Sequence, residues 1–67
     1  MMEKWNERMK KLRTSKSLSQ YEVAEKCGTT QKTYWMWETG KSYPRNRSRR
    51  YIAKAFGVTE KYLFNEE

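Results

Sequence analysis

Apolar side chains recur at helical spacing in four segments of the 67-residue chain. Trp5, Met9 and Leu12 stand at positions i, i+4 and i+7, which places them on one face of a helix. The same periodicity returns in three later segments, and it predicts an all-α fold. The residues of these later segments are Val23, Ala24 and Cys27, then Tyr34 and Trp37, then Ile52, Ala53 and Phe56.

Capping and turn residues divide the chain into helices with short connections. Ser19 and Glu22 form a capping box, and Gly28 suits the left-handed backbone that ends a helix. Thr30 can cap the next helix, and Gly40 is a signal for its end. We therefore predict five helices, which span residues 3–16, 20–27, 31–38, from Asn46 to just before Gly57, and a short stretch after a Thr59 cap.

The amino-acid composition contains one warning of disorder. Leu, Ile, Val and Phe are scarce and the formal net charge is +7, a combination that is typical of unfolded chains. Three Trp, five Tyr and four Met supply large apolar area in place of the missing aliphatic residues. Because their spacing is also helical, we predict one folded domain over residues 1–67.

The charge balance and the missing residue types narrow the function. A net charge of +7 and a pI near 9.8 suit a polyanionic partner such as nucleic acid or an anionic membrane. The sequence contains no His and no Asp, which excludes Ser-His-Asp chemistry and His-based metal sites. Cys27 is the only cysteine, so neither an internal disulfide nor a cysteine metal cluster can form. We therefore expect no enzyme activity, no metal and no cofactor.

Targeting signals are also missing from the sequence. No apolar run approaches the length of a membrane span, and the N-terminus has no signal-peptide pattern. A lone cysteine fits a reducing compartment. We therefore expect a cytoplasmic protein that does not associate with membranes.

Residues 19–38 have the pattern of a helix-turn-helix, in which two short helices are joined by a tight turn at Gly28. The positions that extend this pattern over the chain are Arg8, Leu12, Arg13, residues 18–20, Val23, Ala24, residues 28–31, Glu38, Gly40, Lys41, Ile52, Ala53 and residues 56–58. In this order and spacing they resemble the phage repressor and Cro type of helix-turn-helix protein. The resemblance implies a five-helix, lambda-repressor-like DNA-binding domain whose second and third helices form the motif.

The resemblance implies a sequence-specific regulator of transcription that binds double-stranded DNA. It points to a Cro-like phage or prophage repressor that binds a palindromic operator as a homodimer, because one small domain reads only a few base pairs. No small-molecule ligand is expected. A protein-binding helix-turn-helix module, such as an antitoxin or an adaptor of the transcription machinery, is the alternative. In that case Tyr34, Trp35 and Trp37 would belong to an aromatic contact surface.

The third helix carries the predicted base contacts. With Tyr34 and Trp37 turned inward, the N-terminal end of this helix would enter the major groove. Gln31 can pair with adenine N6 and N7, and Lys32 can donate to guanine O6 and N7. Thr33 could contact a thymine methyl group or a phosphate. An ordinary solvated helix face is the alternative for these positions.

Trp35 and Met36 complete the outward face of the third helix. Trp35 could pack on sugars or on a thymine methyl group, or it could fold back as additional core over the second helix or over the loop before the fourth helix. Both alternatives stay open. We expect Met36 at the edge of the interface, near the sugar–phosphate backbone.

Phosphate contacts are expected beside the third helix, because such contacts set register without reading sequence. Gln20 stands at the start of the second helix, where its side chain and the backbone N–H groups can bind one phosphate. The family resemblance implies the same role for Gln20. Lys41, Arg45 and Arg47 surround the loop after the third helix and would reach the neighbouring backbone. A solvated run of charges is the alternative for this basic cluster.

Two further pairs of residues follow from the resemblance and from the C-terminal pattern. Arg13 and Glu38 resemble a family ion pair that ties the first helix to the end of the third. Near the C-terminus, Leu63 should pack inward as part of a hydrophobic staple. Tyr62 and Phe64 would then be left to contact a partner subunit.

Arg49 departs from the family pattern, which places an inward-packing aliphatic residue near the start of the fourth helix. Tyr43 and Tyr51 are the candidates to fill that space. The departure leaves open where the fourth helix begins and how this end of it is packed.

Overall fold

The computed structural model describes residues 3–64, and this part of the chain folds into five helices without a strand. The all-α prediction and the predicted order of helices are therefore confirmed. The helices are α1 (Trp5–Ser15), α2 (Gln20–Cys27), α3 (Gln31–Glu38), α4 (Asn46–Phe56) and α5 (Glu60–Phe64). The predicted start of α4 at Asn46 is correct, which answers one of the two questions raised by Arg49.

The α1 helix is shorter at both ends than the predicted range of residues 3–16. Its N-cap is Lys4, whose backbone N–H donates to the Glu7 carboxylate across 3.1 Å. At the other end, Ser17 has a left-handed backbone with a φ of 57°, so the helix stops before it. A glycine usually occupies such a position. Because a serine stands here, the sequence carried no signal for this helix end.

Local hydrogen bonds define the tight turn between α2 and α3. Ser19 caps α2 by accepting from the Glu22 backbone N–H, and the Glu22 carboxylate accepts the Ser19 N–H across 2.8 Å. Gly28 then ends α2 in the left-handed region with a φ of 71°. Thr30 caps α3 by accepting from the Thr33 backbone N–H across 3.1 Å. These caps place the N-terminus of α3 directly after the turn.

The core lies between the five helices and is rich in aromatic and sulfur-containing side chains. The α2 helix packs against both α3 and α4, while α1 packs against α3 and α5. The rings of Tyr34 and Trp37 meet edge to face with centroids 6.2 Å apart, which fills volume that aliphatic side chains would otherwise occupy. The buried cluster consists of Met9, Val23, Ala24, Cys27, Tyr34, Trp37, Ile52, Phe56 and Leu63.

The start of α4 is built around Pro44 and Arg49. Pro44 is fully buried, and its carbonyl accepts a hydrogen bond from Arg49 Nη1 across 2.7 Å. Arg49 Nη2 donates to the side-chain oxygen of Asn46. Tyr51 remains exposed and does not fill this space, whereas the Tyr43 ring lies 5.1 Å from the Arg49 guanidinium carbon. This end is thus held by polar contacts and one buried proline in place of an aliphatic side chain.

Candidate nucleic-acid interface

The buried carboxylate of Glu38 joins the three helices on which the candidate interface depends. Arg13 on α1 binds it with two hydrogen bonds, from Nε across 2.7 Å and from Nη2 across 3.0 Å. Gln20 at the start of α2 donates from Nε2 across 2.9 Å, and the Tyr34 hydroxyl donates across 2.8 Å. Only 6% of Glu38 is exposed. Such a charge-assisted, bidentate arrangement fixes both the distance and the orientation of the helices.

The ionisation of this cluster follows from its contacts. Burial on its own would raise the pKa of Glu38, but the hydrogen bonds from Arg13, Gln20 and Tyr34 outweigh burial and lower that pKa. Burial and the neighbouring Glu38 carboxylate both raise the pKa of the Tyr34 hydroxyl. Glu38 is therefore ionised and Tyr34 is neutral near pH 7, which is the state that these hydrogen bonds require.

The α3 helix presents its polar N-terminal end to solvent. Tyr34 is fully buried and Trp37 is 6% exposed, so the inner face is the one that the sequence predicted. Gln31 and Lys32 are exposed, while Thr33 is half-buried and its Oγ1 accepts a hydrogen bond from the Thr30 hydroxyl. The first turn of α3 contains no acidic residue. An anionic partner therefore meets no like charge on this turn.

Trp35 and Met36 extend the α3 surface towards the loop that follows. Trp35 is 41% exposed and lies outside the buried core. The Lys41 ammonium lies 5.9 Å from the centre of that ring, a cation–π contact between the helix and the loop. Met36 is half-buried at the edge. Trp35 thus stays on the surface with Lys41 beside it, and its contact with DNA remains a prediction.

Gln20 has a second role that the sequence reasoning missed. Its side chain is half-buried and donates to Glu38. An amide nitrogen carries two N–H groups, so one can bind Glu38 while the other is available to a phosphate. The predicted phosphate contact by Gln20 is therefore compatible with this hydrogen bond. No spacing pattern in the sequence could have revealed the Glu38 contact, because it joins residues on different helices.

The other predicted phosphate ligands surround the loop between α3 and α4. Lys41, Arg45 and Arg47 are all exposed. Lys41 is anchored through its backbone N–H, which donates to the Met36 carbonyl across 3.0 Å. The Arg47 guanidinium lies 6.0 Å from the centre of the Tyr51 ring. The chain thus places three cations next to the C-terminal end of α3 and the first turn of α4.

Only one of the two residues predicted for the dimer contact is fully on the surface. Tyr62 is 56% exposed, but the Phe64 ring is partly buried against the core and lies 6.0 Å from the rings of both Trp5 and Tyr43. Aromatic neighbours in its own chain thus cover part of Phe64, which the sequence analysis did not predict, and its contact with a partner stays a prediction. Arg8 on α1 fixes this end by donating to the Leu63 carbonyl across 2.7 Å. A dimer contact through Tyr62 stays a prediction.

Residues 3–64 contain neither a membrane-spanning helix nor a cluster of metal-binding side chains. None of its helices is both long enough and apolar enough to cross a membrane. Among residues 3–64, no group of three or more His, Cys, Asp or Glu is placed to hold a metal ion. The burial of Cys27 raises the pKa of its thiol to about 11.

Comparison with protein families and curated proteins identifies one matching family and two similar proteins. The family described as "Helix-turn-helix domain" matches residues 6–67. The HTH-type transcriptional activator BcrR of Enterococcus faecalis is 38% identical over 63 residues, which are 94% of this chain and 31% of that protein. The SPbeta prophage-derived uncharacterized HTH-type transcriptional regulator YonR of Bacillus subtilis (strain 168) is 36% identical over 59 residues, which are 88% of this chain and 55% of that protein. The chain thus spans about a third and about half of these two relatives.

Comparison with solved structures identifies a protein with the same fold. The P22 c2 repressor protein, crystallised in complex with synthetic operator 9T in the presence of Tl+, superposes with a TM-score of 0.92. The match covers 98% of this chain and 100% of that chain at 18% sequence identity. The predicted resemblance in fold to phage repressors is therefore confirmed.

Proposed function

Because the chain belongs to the helix-turn-helix domain family, we propose that it is a transcriptional regulator that binds a specific sequence of double-stranded DNA through α3. The observation that carries this proposal is the outer face of α3. The inner face of α3 is fixed in the core by Tyr34 and Trp37, while Gln31 and Lys32 are exposed at the N-terminal end of the helix. A rigid helix that presents an amide and an ammonium group at its N-terminus suits base recognition in the major groove.

Within this proposal, the contacts divide into base readers and phosphate ligands. Gln31 and Lys32 read base edges, with Thr33, Trp35 and Met36 along the rim of the contact. Gln20 and the cations around the loop bind the sugar–phosphate backbone and set the register of α3. The phosphate ligands are Gln20, Lys41, Arg45 and Arg47.

The more specific form of the proposal is a Cro-like repressor that binds a palindromic operator as a homodimer. The likeness in fold to the P22 c2 repressor and the similarity to a prophage-derived regulator support it. Two copies related by a two-fold axis would place two α3 helices in successive major grooves. A homodimer also offers the number of base contacts that a single small domain lacks.

Selection of binding sites from random duplexes tests the proposal, followed by titration of the selected site at several salt concentrations. If a dimer engages about 6–8 phosphates, the logarithm of the binding constant should fall with the logarithm of salt at a slope of about −6. Arg45→Ala with Arg47→Ala should weaken binding to all duplexes alike and flatten that slope. A wild-type slope near zero and the absence of a selected site would reject DNA binding and favour a protein-binding module instead.

A further inference from the structure

The loop between α3 and α4 carries exposed cations on a backbone that several contacts hold in place. Lys41 in its first half and Arg45 at its end are both exposed. The N–H groups of Lys41 and Ser42 both donate to the Met36 carbonyl, across 3.0 and 3.2 Å. Between them and Arg45, the buried Pro44 restricts the chain further. The positions of the two cations therefore depend on how the middle of this loop is fixed.

Tyr43 makes the contacts that hold the middle of the loop. Its ring meets the Trp5 ring edge to face, with centroids 5.0 Å apart and planes at 90°. It meets the Phe64 ring at 6.0 Å and 82°. Trp5 lies in α1 and Phe64 in α5, so one loop residue is attached to the two helices at the ends of the described chain. Edge-to-face pairs of this kind have a preferred geometry and therefore fix orientation as well as distance.

Arg49 closes the other side of the same loop. Its guanidinium carbon lies 5.1 Å from the Tyr43 ring centre, and its Nη1 donates to the Pro44 carbonyl across 2.7 Å. Although Arg49 is a cation near the candidate interface, its guanidinium group is engaged in these contacts within the chain. Tyr43 is thus held by two aromatic rings and by a guanidinium group.

We propose that Tyr43 is a positioning residue for DNA binding, which holds Lys41 and Arg45 in the arrangement that their phosphate contacts require. This inference rests on the proposed function. A flexible loop would have to lose backbone freedom on binding, in addition to the freedom of its cationic side chains, and a loop that is already fixed avoids the backbone part of that cost. Tyr43 is 51% exposed, yet its ring serves the loop through contacts within the chain.

The experiment compares Tyr43→Ala in two backgrounds, the wild type and the Lys41→Ala/Arg45→Ala double variant. In the wild-type background, Tyr43→Ala should weaken binding about tenfold per subunit, equally on the selected operator and on a scrambled duplex, and should flatten the salt slope. In the double variant, the same substitution should change affinity less than about twofold. A residue with a merely structural role would weaken binding by the same factor in both backgrounds.

Tyr21→Ala is the matched control, because Tyr21 is a similarly exposed tyrosine, 56% accessible, outside the loop. Tyr21→Ala should leave the affinity for DNA and the salt slope unchanged. Tyr43→Phe keeps the ring and should bind DNA as the wild type does. If Tyr43→Ala unfolds at the assay temperature, Tyr43→Leu takes its place with the same expected dependence on background. Equal losses in both backgrounds, or no loss at all, would overturn the role of Tyr43. A wild-type protein that binds no duplex would instead reject the proposed function.

Discussion

At the scale of single residues, Glu38 connects folding with the proposed DNA contact. Its carboxylate binds Arg13 and also orients Gln20, the residue that we propose as a phosphate ligand. A carboxylate buried to this extent is stable only when its partners are present, because an unpaired buried charge is costly. The same group therefore contributes to the stability of the fold and to the orientation of a binding residue.

The free energy of unfolding should depend on pH through Glu38. The hydrogen bonds from Arg13, Gln20 and Tyr34 hold its folded-state pKa below the ordinary value. The unfolded chain then binds a proton at higher pH than the folded chain does. The stabilisation is complete above the ordinary carboxyl pKa, about 4.3, and is lost as the pH falls through the lower folded pKa. Urea unfolding from about pH 3 to about pH 7 should show this loss in the wild type.

Two variants isolate the part of this pH dependence that belongs to Glu38. Glu38→Gln should be less stable at pH 7 and should lose less stability on acidification than the wild type does. Glu25→Gln, at an exposed position of α2, should keep the wild-type profile. An unchanged acid profile in Glu38→Gln would show that other carboxylates account for it.

Gln31 should distinguish base reading from general affinity. Gln31→Ala is expected to cost about 1–3 kcal/mol per half-site on the selected operator and much less on a scrambled duplex, because only a matched base accepts and donates to the amide. Paired titrations at one salt concentration measure this difference. Equal losses on the two duplexes would mean that Gln31 does not read a base, and the base-reading positions would have to be sought elsewhere on α3.

At the scale of helices, the sequence predicted the features that depend on neighbouring residues better than those that depend on contacts between helices. The ends of α2 and α3 depend on local caps such as Ser19 and Thr30, so their bounds were predicted correctly. The buried side of α3 was predicted for the same reason, since it follows from the spacing of Tyr34 and Trp37. The Arg13–Glu38 pair spans 25 positions and was expected only because of the family resemblance. The hydrogen bond from Gln20 to Glu38 spans 18 positions, depends on how α2 packs on α3, and was indicated neither by spacing nor by the resemblance. The partly buried position of Phe64 could not be predicted either, because it depends on contacts with Trp5 and Tyr43, which are distant in sequence.

The turn between α2 and α3 gives a prediction at this scale. Gly28 has a φ of 71°, and a Cβ added there would meet no atom within 4 Å. The cost of Gly28→Ala therefore comes from the left-handed backbone alone, about 1–2 kcal/mol, and is offset in part by the lower entropy of the unfolded chain. Thermal unfolding should show a net destabilisation of about 1 kcal/mol, and Gly28→Asn should lose less. A loss of several kcal/mol would indicate a steric conflict that the structure does not show.

At the scale of the whole molecule, the dimensions of the domain fit the spacing of two half-sites. The described chain measures 29 × 24 × 22 Å, whereas half-sites one helical turn apart are separated by about 34–36 Å. Two copies therefore fit on successive major grooves without overlap. With the longest dimension of each copy along the duplex, the gap between two copies is about 5–7 Å, so contact between the subunits would fall to side chains on the surface. Tyr62 is the exposed residue that we predicted for this contact.

Binding to a palindrome should therefore be cooperative and should depend on half-site spacing. For two half-sites one turn apart, the overall binding constant of the wild-type protein should exceed the product of the binding constants of the separate half-sites. Insertion of about five base pairs, half of a helical turn, should abolish the gain by placing the subunits on opposite faces of the duplex. Tyr62→Ala should reduce the gain and leave binding to an isolated half-site unchanged, since we propose that Tyr62 contacts the partner and not the DNA. Titrations of the three duplexes with both proteins measure these effects, and equal cooperativity in Tyr62→Ala would move the dimer contact to another surface.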